Sequence, residues 1–229
     1  MSNKYVIKFA KEGYIKYTSH LDMLRLFKRA FKKCGIRLAH SQGFNPHPKM
    51  GFAQPLSLGY TSRCELLEIE TVDSQSTAVL KEKLAAEMPM GVEILSVAPL
   101  KIKAKSLAGV VDEALYKVVF PVDAASADFD KVVADYLAQA EILAEKRQKK
   151  TKKMATVDIR KKIRTIAVGK GDKLTLMMNL DCGSISNLSP EQVIASFIKF
   201  AQLPIERYDI EVERLDIMFE KNAGINLQF

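Results

Sequence analysis

Apolar and polar residues alternate at the start of the chain, with Tyr5, Ile7 and Phe9 set against Lys4 and Lys8. That period predicts a strand over residues 4–10. A short return over 14–17 follows the Glu12-Gly13 turn. The period then becomes helical: Leu24, Phe27, Phe31 and Cys34 repeat at three- and four-residue spacing behind Ser19, an N-cap with Asp22 three residues on. Gly35 supplies the stop. Residues 36–40 read as a strand, 64–72 as the next, and 74–88 as a helix with Val79, Leu80, Leu84 and Met88 inward. A strand over 92–99, entered through Pro89-Met90-Gly91, completes the set. Residues 41–61 hold Gly43, Pro46, Pro48, Gly51, Pro55 and Gly59. Such a segment has too many breakers for a helix and is too long for a plain connector, so it reads as a functional loop.

The same order of elements returns after a linker over 101–112. Residues 115–122 form a strand pattern, and Phe129, Val132, Val133, Tyr136, Leu137 and Ala140 mark a helix. Segments 142–147 and 156–168 flank a basic hairpin whose tip is 149–153. A strand over 174–180 precedes Ser189-Pro190-Glu191-Gln192, a helix start with Pro in the first position. Residues 210–219 close as a strand, and 222–229 read as a loose tail. The fold class expected is α+β: two tandem ferredoxin-like (βαββαβ) units with antiparallel sheets, over 1–100 and 113–221.

Composition adds that the 229 residues are 48% hydrophobic and 27% charged, enough for a substantial core. No run approaches the length of a membrane span, and the N-terminus lacks the apolar core of a signal peptide. Cys34, Cys64 and Cys182 are odd in number and far apart, which suits reduced thiols in the cytoplasm. No CxxC occurs, so neither a cysteine zinc site nor a protein-bound iron–sulfur cluster is expected, and no metal or other cofactor is implied. Dinucleotide, P-loop, GxSxG hydrolase and kinase motifs are also absent.

Charge is concentrated. The net charge is +8, yet residues 1–50 set eleven Lys/Arg against Glu12 and Asp22 alone. Residues 146–164 set ten basic residues against Asp158. Two such blocks fit a polyanion partner, RNA first, with a merely solvated surface as the alternative. Arg25, Lys28, Arg29 and Lys32 share the helix face opposite the apolar stripe. Ser19 and His20 at the helix start, with Asn45, His47 and Lys49 in the loop, complete a candidate phosphate site. Lys149, Lys150, Lys152, Lys153, Arg160 and Arg164 form a candidate backbone-tracking arm. Tyr17, Phe44, Phe52 and Tyr60 are candidates to stack on unpaired bases, although loop aromatics more often anchor. The histidines His20, His40 and His47 fall within 28 residues. A metal reading of them has no recognised ligand spacing. A general acid–base reading, with His20 or His47 acting on RNA, stands beside one in which they brace the loop.

The string Tyr17-Thr-Ser-His-Leu-Asp-Met-Leu-Arg25, followed by Ala39-His-Ser-Gln-Gly-Phe-Asn-Pro-His-Pro-Lys49 and Phe52-Ala-Gln-Pro-Leu-Ser-Leu-Gly59, resembles a bacterial family of unknown function, the radical-SAM-associated proteins. Its members are encoded beside, or fused to, a radical SAM protein with a B12-binding-like domain. The resemblance implies a radical SAM partner that supplies the chemistry. A fainter, architectural likeness is to CRISPR repeat-processing endoribonucleases, with His20 at the position of their helix-borne histidine. The function expected is thus a non-catalytic RNA-binding accessory protein that presents tRNA or rRNA to a radical SAM modification partner. The alternatives are a metal-independent endoribonuclease and a module docking on an acidic protein surface. No membrane partner is expected.

Overall fold

The structure, a computed structural model, describes residues 3–101, 106–148, 152–225 and 227. It is mixed α+β, with four α-helices among the described residues. The chain divides into two compact units: residues up to Val111 joined by those from Ile217 onward, and Asp112–Asp216.

The first unit runs β1 (Lys4–Lys11), α1 (His20–Lys33), β2 (Met50–Phe52), β3 (Thr61–Glu70), α2 (Thr77–Ala85) and β4 (Val92–Pro99). Its strands lie in the order β4-β1-β3-β2, each antiparallel to its neighbour. Tyr5, Ile7 and Phe9 of β1 and Leu67 and Ile69 of β3 point to the core face, because side chains alternate along a strand. The helices cover them with Met23, Phe27 and Phe31 of α1 and Leu80 and Leu84 of α2. Phe9 ties the layers together, with ring centroids 5.0 Å from Phe27 and 5.7 Å from Phe52.

Several local expectations change. The buried stripe of α1 is Met23, Phe27, Ala30 and Phe31, while Leu24 and Cys34 are only half-buried. Met23 is one turn ahead of Phe27, whereas Leu24 sits about 100° further round. Gly13–Tyr17 is a 3-10 turn, not a return strand. Residues 36–40 form no strand. Leu38 makes a single bridge to Thr71 and His40 one to Pro48, and the edge strand forms only at Met50–Phe52, inside the expected loop. Pro46 and Pro48 lack the N–H that a continuous ladder needs. Helix α2 is shorter than its apolar pattern, and Val79 faces outward.

The second unit contains β5 (Val111–Asp123) from Asp112 on, α3 (Phe129–Ala138), β6 (Leu143–Arg147), β7 (Met154–Asp158), β8 (Ile163–Gly169), β9 (Lys173–Asp181), α4 (Pro190–Phe200) and β10 (Glu211–Phe219) up to Asp216. Its strand order is β10-β5-β9-β8, and β6 and β7 pair only with each other. Phe197 packs its ring 5.9 Å from Phe120 and 5.3 Å from Tyr136. Asp128 caps α3 through the Lys131 N–H at 3.0 Å, and Ser189 caps α4. The strand expected over 156–168 is broken after Asp158. That carboxylate accepts from the backbone N–H groups of Arg160 at 2.9 Å and Ile142 at 3.0 Å, which folds the chain into a 3-10 turn at Arg160–Lys162. Of the expected linker, 102–105 lie outside the described residues, Leu107 is buried, and Val111 already belongs to β5. The expected loose tail begins with a buried Ala223 whose N–H donates to Glu220.

Candidate nucleic-acid interface

Arg25, Lys28, Arg29 and Lys32 stand exposed along α1, since its other face is committed to the core. Arg25 binds the Asp22 carboxylate at 2.8 Å. Lys28 and Lys32 have no carboxylate partner among the described residues, and Arg29 makes no ion pair there but acts through space on the Asp22 carboxylate. The charge of Lys28 and Lys32 faces water uncompensated, which is the electrostatic condition for binding a polyanion.

The start of α1 works differently from the expected phosphate seat. Ser19 Oγ accepts from the Asp22 N–H at 3.2 Å and donates to Asp22 Oδ2 at 2.7 Å. The Ser19 hydroxyl first, and the Arg25 guanidinium after it, hold the Asp22 carboxyl below its ordinary pKa. The positive end of the helix dipole therefore has a resident anion, and Ser19 is committed to the cap. Lys49 is also paired, with Nζ 3.1 Å from Glu70 Oε1.

Residues 40–48 fold into a closed loop. The Ser41 N–H donates to the His47 carbonyl at 2.8 Å, and the His47 N–H donates to Ser41 Oγ at 3.0 Å. This puts Phe44 and Asn45 at an exposed tip, with the Phe44 ring wholly in solvent. His47 is exposed as well. Phe52 and Tyr60 are buried and are not available for stacking, which leaves Phe44 and Tyr17. Between α1 and the base of this loop lies a groove of about 520 Å³, which brings Lys28 and Lys32 together with Arg37, His40 and Pro48.

His20 belongs to a different place. Its ring meets Phe52 edge-on at 5.2 Å and borders a small cavity of about 20 Å³, shared with Phe9, Lys11 and Glu65. Burial pushes the His20 imidazole below its ordinary pKa, so the ring is neutral at pH 7. Lys11 and Glu65 are each only 3% exposed, and Lys11 Nζ donates to the Thr18 carbonyl at 2.8 Å. Neither stands out in the sequence by composition or motif. Their signal was parity: Glu65 falls in phase with Leu67 and Ile69, and sits opposite Phe9 across β1 and β3. Among the described residues no cluster of three His, Cys, Asp or Glu side chains is placed to hold a metal ion.

In the second unit Lys149 and Lys150 lie outside the described residues. Lys152 and Lys153 are exposed beside them. Arg160 and Arg164 are occupied by the fold. Arg160 Nε donates to the Leu137 carbonyl at 2.8 Å and so braces the end of α3. Arg164 Nε lies 2.5 Å from Asp181 Oδ1, with Glu113 and Asp112 each within 3.9 Å of its guanidinium. These carboxylates raise the Arg164 pKa, that of Asp181 first. Lys152 and Lys153 thus face solvent, while the two arginines expected in the same arm hold its base.

This chain belongs to a bacterial family described as "Uncharacterized protein conserved in bacteria (DUF2344)", whose model matches residues 4–190. A search of curated proteins finds no match. Among solved structures, the chain is similar to one in the "Crystal Structure of a Cbf5-Nop10-Gar1 Complex", at 11% identity and a TM-score of 0.46. The likeness covers 92% of this chain and 47% of that one, so this chain spans about half the length of that structural neighbour. No helix among the described residues is long and apolar enough to cross a membrane.

Proposed function

We propose that this protein is a cytoplasmic, non-catalytic RNA-binding accessory that acts with a radical SAM RNA-modification partner. The observation that carries RNA binding is the ridge of Lys28, Arg29 and Lys32, exposed on one face of α1 and none of them in an ion pair among the described residues. The exposed Phe44 on the neighbouring loop supports it as a stacking platform. The partner rests on the motif resemblance of residues 17–59. We also read the units as tandem ferredoxin-like, supported by the strand orders β4-β1-β3-β2 and β10-β5-β9-β8.

One observation favours a second reading, a metal-independent endoribonuclease. His20 is neutral, the form a general base needs, and shares its cavity with Lys11 and Glu65. The two separate in one assay: purified protein is mixed with total cellular RNA across a salt series, and the RNA is checked for integrity. Tight, salt-sensitive binding of intact RNA supports the accessory. Cleavage that His20→Ala abolishes makes it an endoribonuclease. The absence of binding at physiological salt rejects both.

A further inference from the structure

We infer that the groove beside α1 seats an unpaired nucleobase, so that single-stranded RNA is the class this protein selects; this rests on the RNA-binding reading above. The groove holds about 520 Å³, within the roughly 300–1,000 Å³ of small-ligand sites. Its floor is apolar, made by Phe31, Ile36, Leu38 and Pro48. Val72, two residues past β3, extends that floor and is 52% exposed, an apolar surface that folding leaves open to water.

The rim has the opposite character. Lys28 and Lys32 are four residues apart on α1 and so project from neighbouring turns. Arg37 faces them, with its guanidinium oriented by Asp73 through Nε at 3.1 Å and a terminal nitrogen at 2.6 Å. His40 Nδ1 lies 3.1 Å from the Leu38 carbonyl. A carbonyl only accepts, so Nδ1 is the donor in this contact and the ring edge is held at the rim. None of the residues lining the groove is acidic.

An apolar slot edged by cations and an imidazole matches a nucleotide: the base enters, and its flanking phosphates meet Lys28 and Lys32. A paired base cannot enter, because an A-form duplex offers proteins its phosphates and 2′-hydroxyls and keeps its base faces stacked. Charge complementarity thus selects a polyanion, and the apolar floor selects one with exposed flat surfaces.

The test uses the full chain and a short oligoribonucleotide carrying one 2-aminopurine, either single-stranded or annealed into a blunt duplex. The single strand is expected to bind about five- to a hundredfold more tightly than the duplex, with the 2-aminopurine fluorescence changing on binding. Val72→Asp places a carboxylate in the groove at an exposed position, and should abolish that preference while leaving thermal unfolding unchanged. The pair Lys28→Gln and Lys32→Gln, on the outer face of α1, is the second variant. It should make the slope of log K against log salt about 1.4 less negative, about 0.7 for each phosphate that is no longer neutralised. Equal binding of strand and duplex, or undiminished preference in both variants, overturns the base seat and leaves RNA binding standing. No binding of either RNA overturns RNA binding itself, and capture of an acidic amphipathic peptide in its place reassigns the groove to a protein.

Discussion

The imidazole of His20 meets the ring of Phe52 edge-on at 5.2 Å, which places a titratable group against the apolar core at the first turn of α1. Burial lowers its pKa below the unfolded value of 6.5. The unfolded chain therefore takes up the proton first as pH falls. The His20 contribution to stability is complete above about pH 6.5 and is lost as pH falls toward the folded value. Urea unfolding at pH 7.5, 6 and 5 should show stability declining across this window, and His20→Gln should flatten part of the decline. A pH dependence unchanged by His20→Gln contradicts this account.

Arg164 was expected in an RNA-tracking arm, but its geometry assigns it to the fold. Arg164→Ala leaves Asp181, whose side chain is 8% exposed, with Ser186 and without its guanidinium. A destabilisation of about 1–3 kcal/mol is expected in chemical denaturation, with RNA affinity little changed. A large affinity loss with unchanged stability reverses the assignment.

Phe44 makes the contrasting case. Its ring is fully exposed, so Phe44→Ala should leave the unfolding midpoint unchanged. If the ring stacks on a base, the same change costs about 1–3 kcal/mol of RNA binding. A drop in stability places the ring in the core, and unchanged affinity removes it from the interface.

Gly91 is required by the turn into β4. Its φ is +93°, and a Cβ there would lie 2.5 Å from the Glu12 carbonyl oxygen. That carbonyl belongs to the residue whose N–H donates to Gly91 at 2.8 Å, so the two strands cannot separate without breaking the bond. Gly91→Ala should lower stability by about 1–3 kcal/mol or more. A wild-type midpoint rejects the close approach.

How much of this was legible in the sequence follows from what each signal measures. Strand alternation in β1 and the cap at Ser19 are local, and the elements formed where they pointed. The apolar spacing alone points to a helix phase through Leu24 and Cys34, but core packing is decided by the sheet beneath, which selects Met23 and Ala30. The edge strand moved from 36–40 to Met50–Phe52 because the prolines limit where backbone donors remain. Charge runs revealed that Arg160 and Arg164 are cationic but not that carbonyl and carboxylate groups distant in sequence hold them. The exposed cations of α1 were legible because helical spacing alone puts them opposite the apolar stripe. The groove was not, since its floor joins Phe31 to Val72 across long sequence separations.

The most direct test of RNA recognition through α1 is the salt dependence of binding for the wild-type chain and for Lys28→Gln/Arg29→Gln/Lys32→Gln. With purified cellular RNA of tRNA size, the wild type should bind with a steep negative slope of log K against log salt. The triple variant should fold normally and show a slope less negative by about 2. Identical slopes, or no wild-type binding at physiological salt, contradict the account.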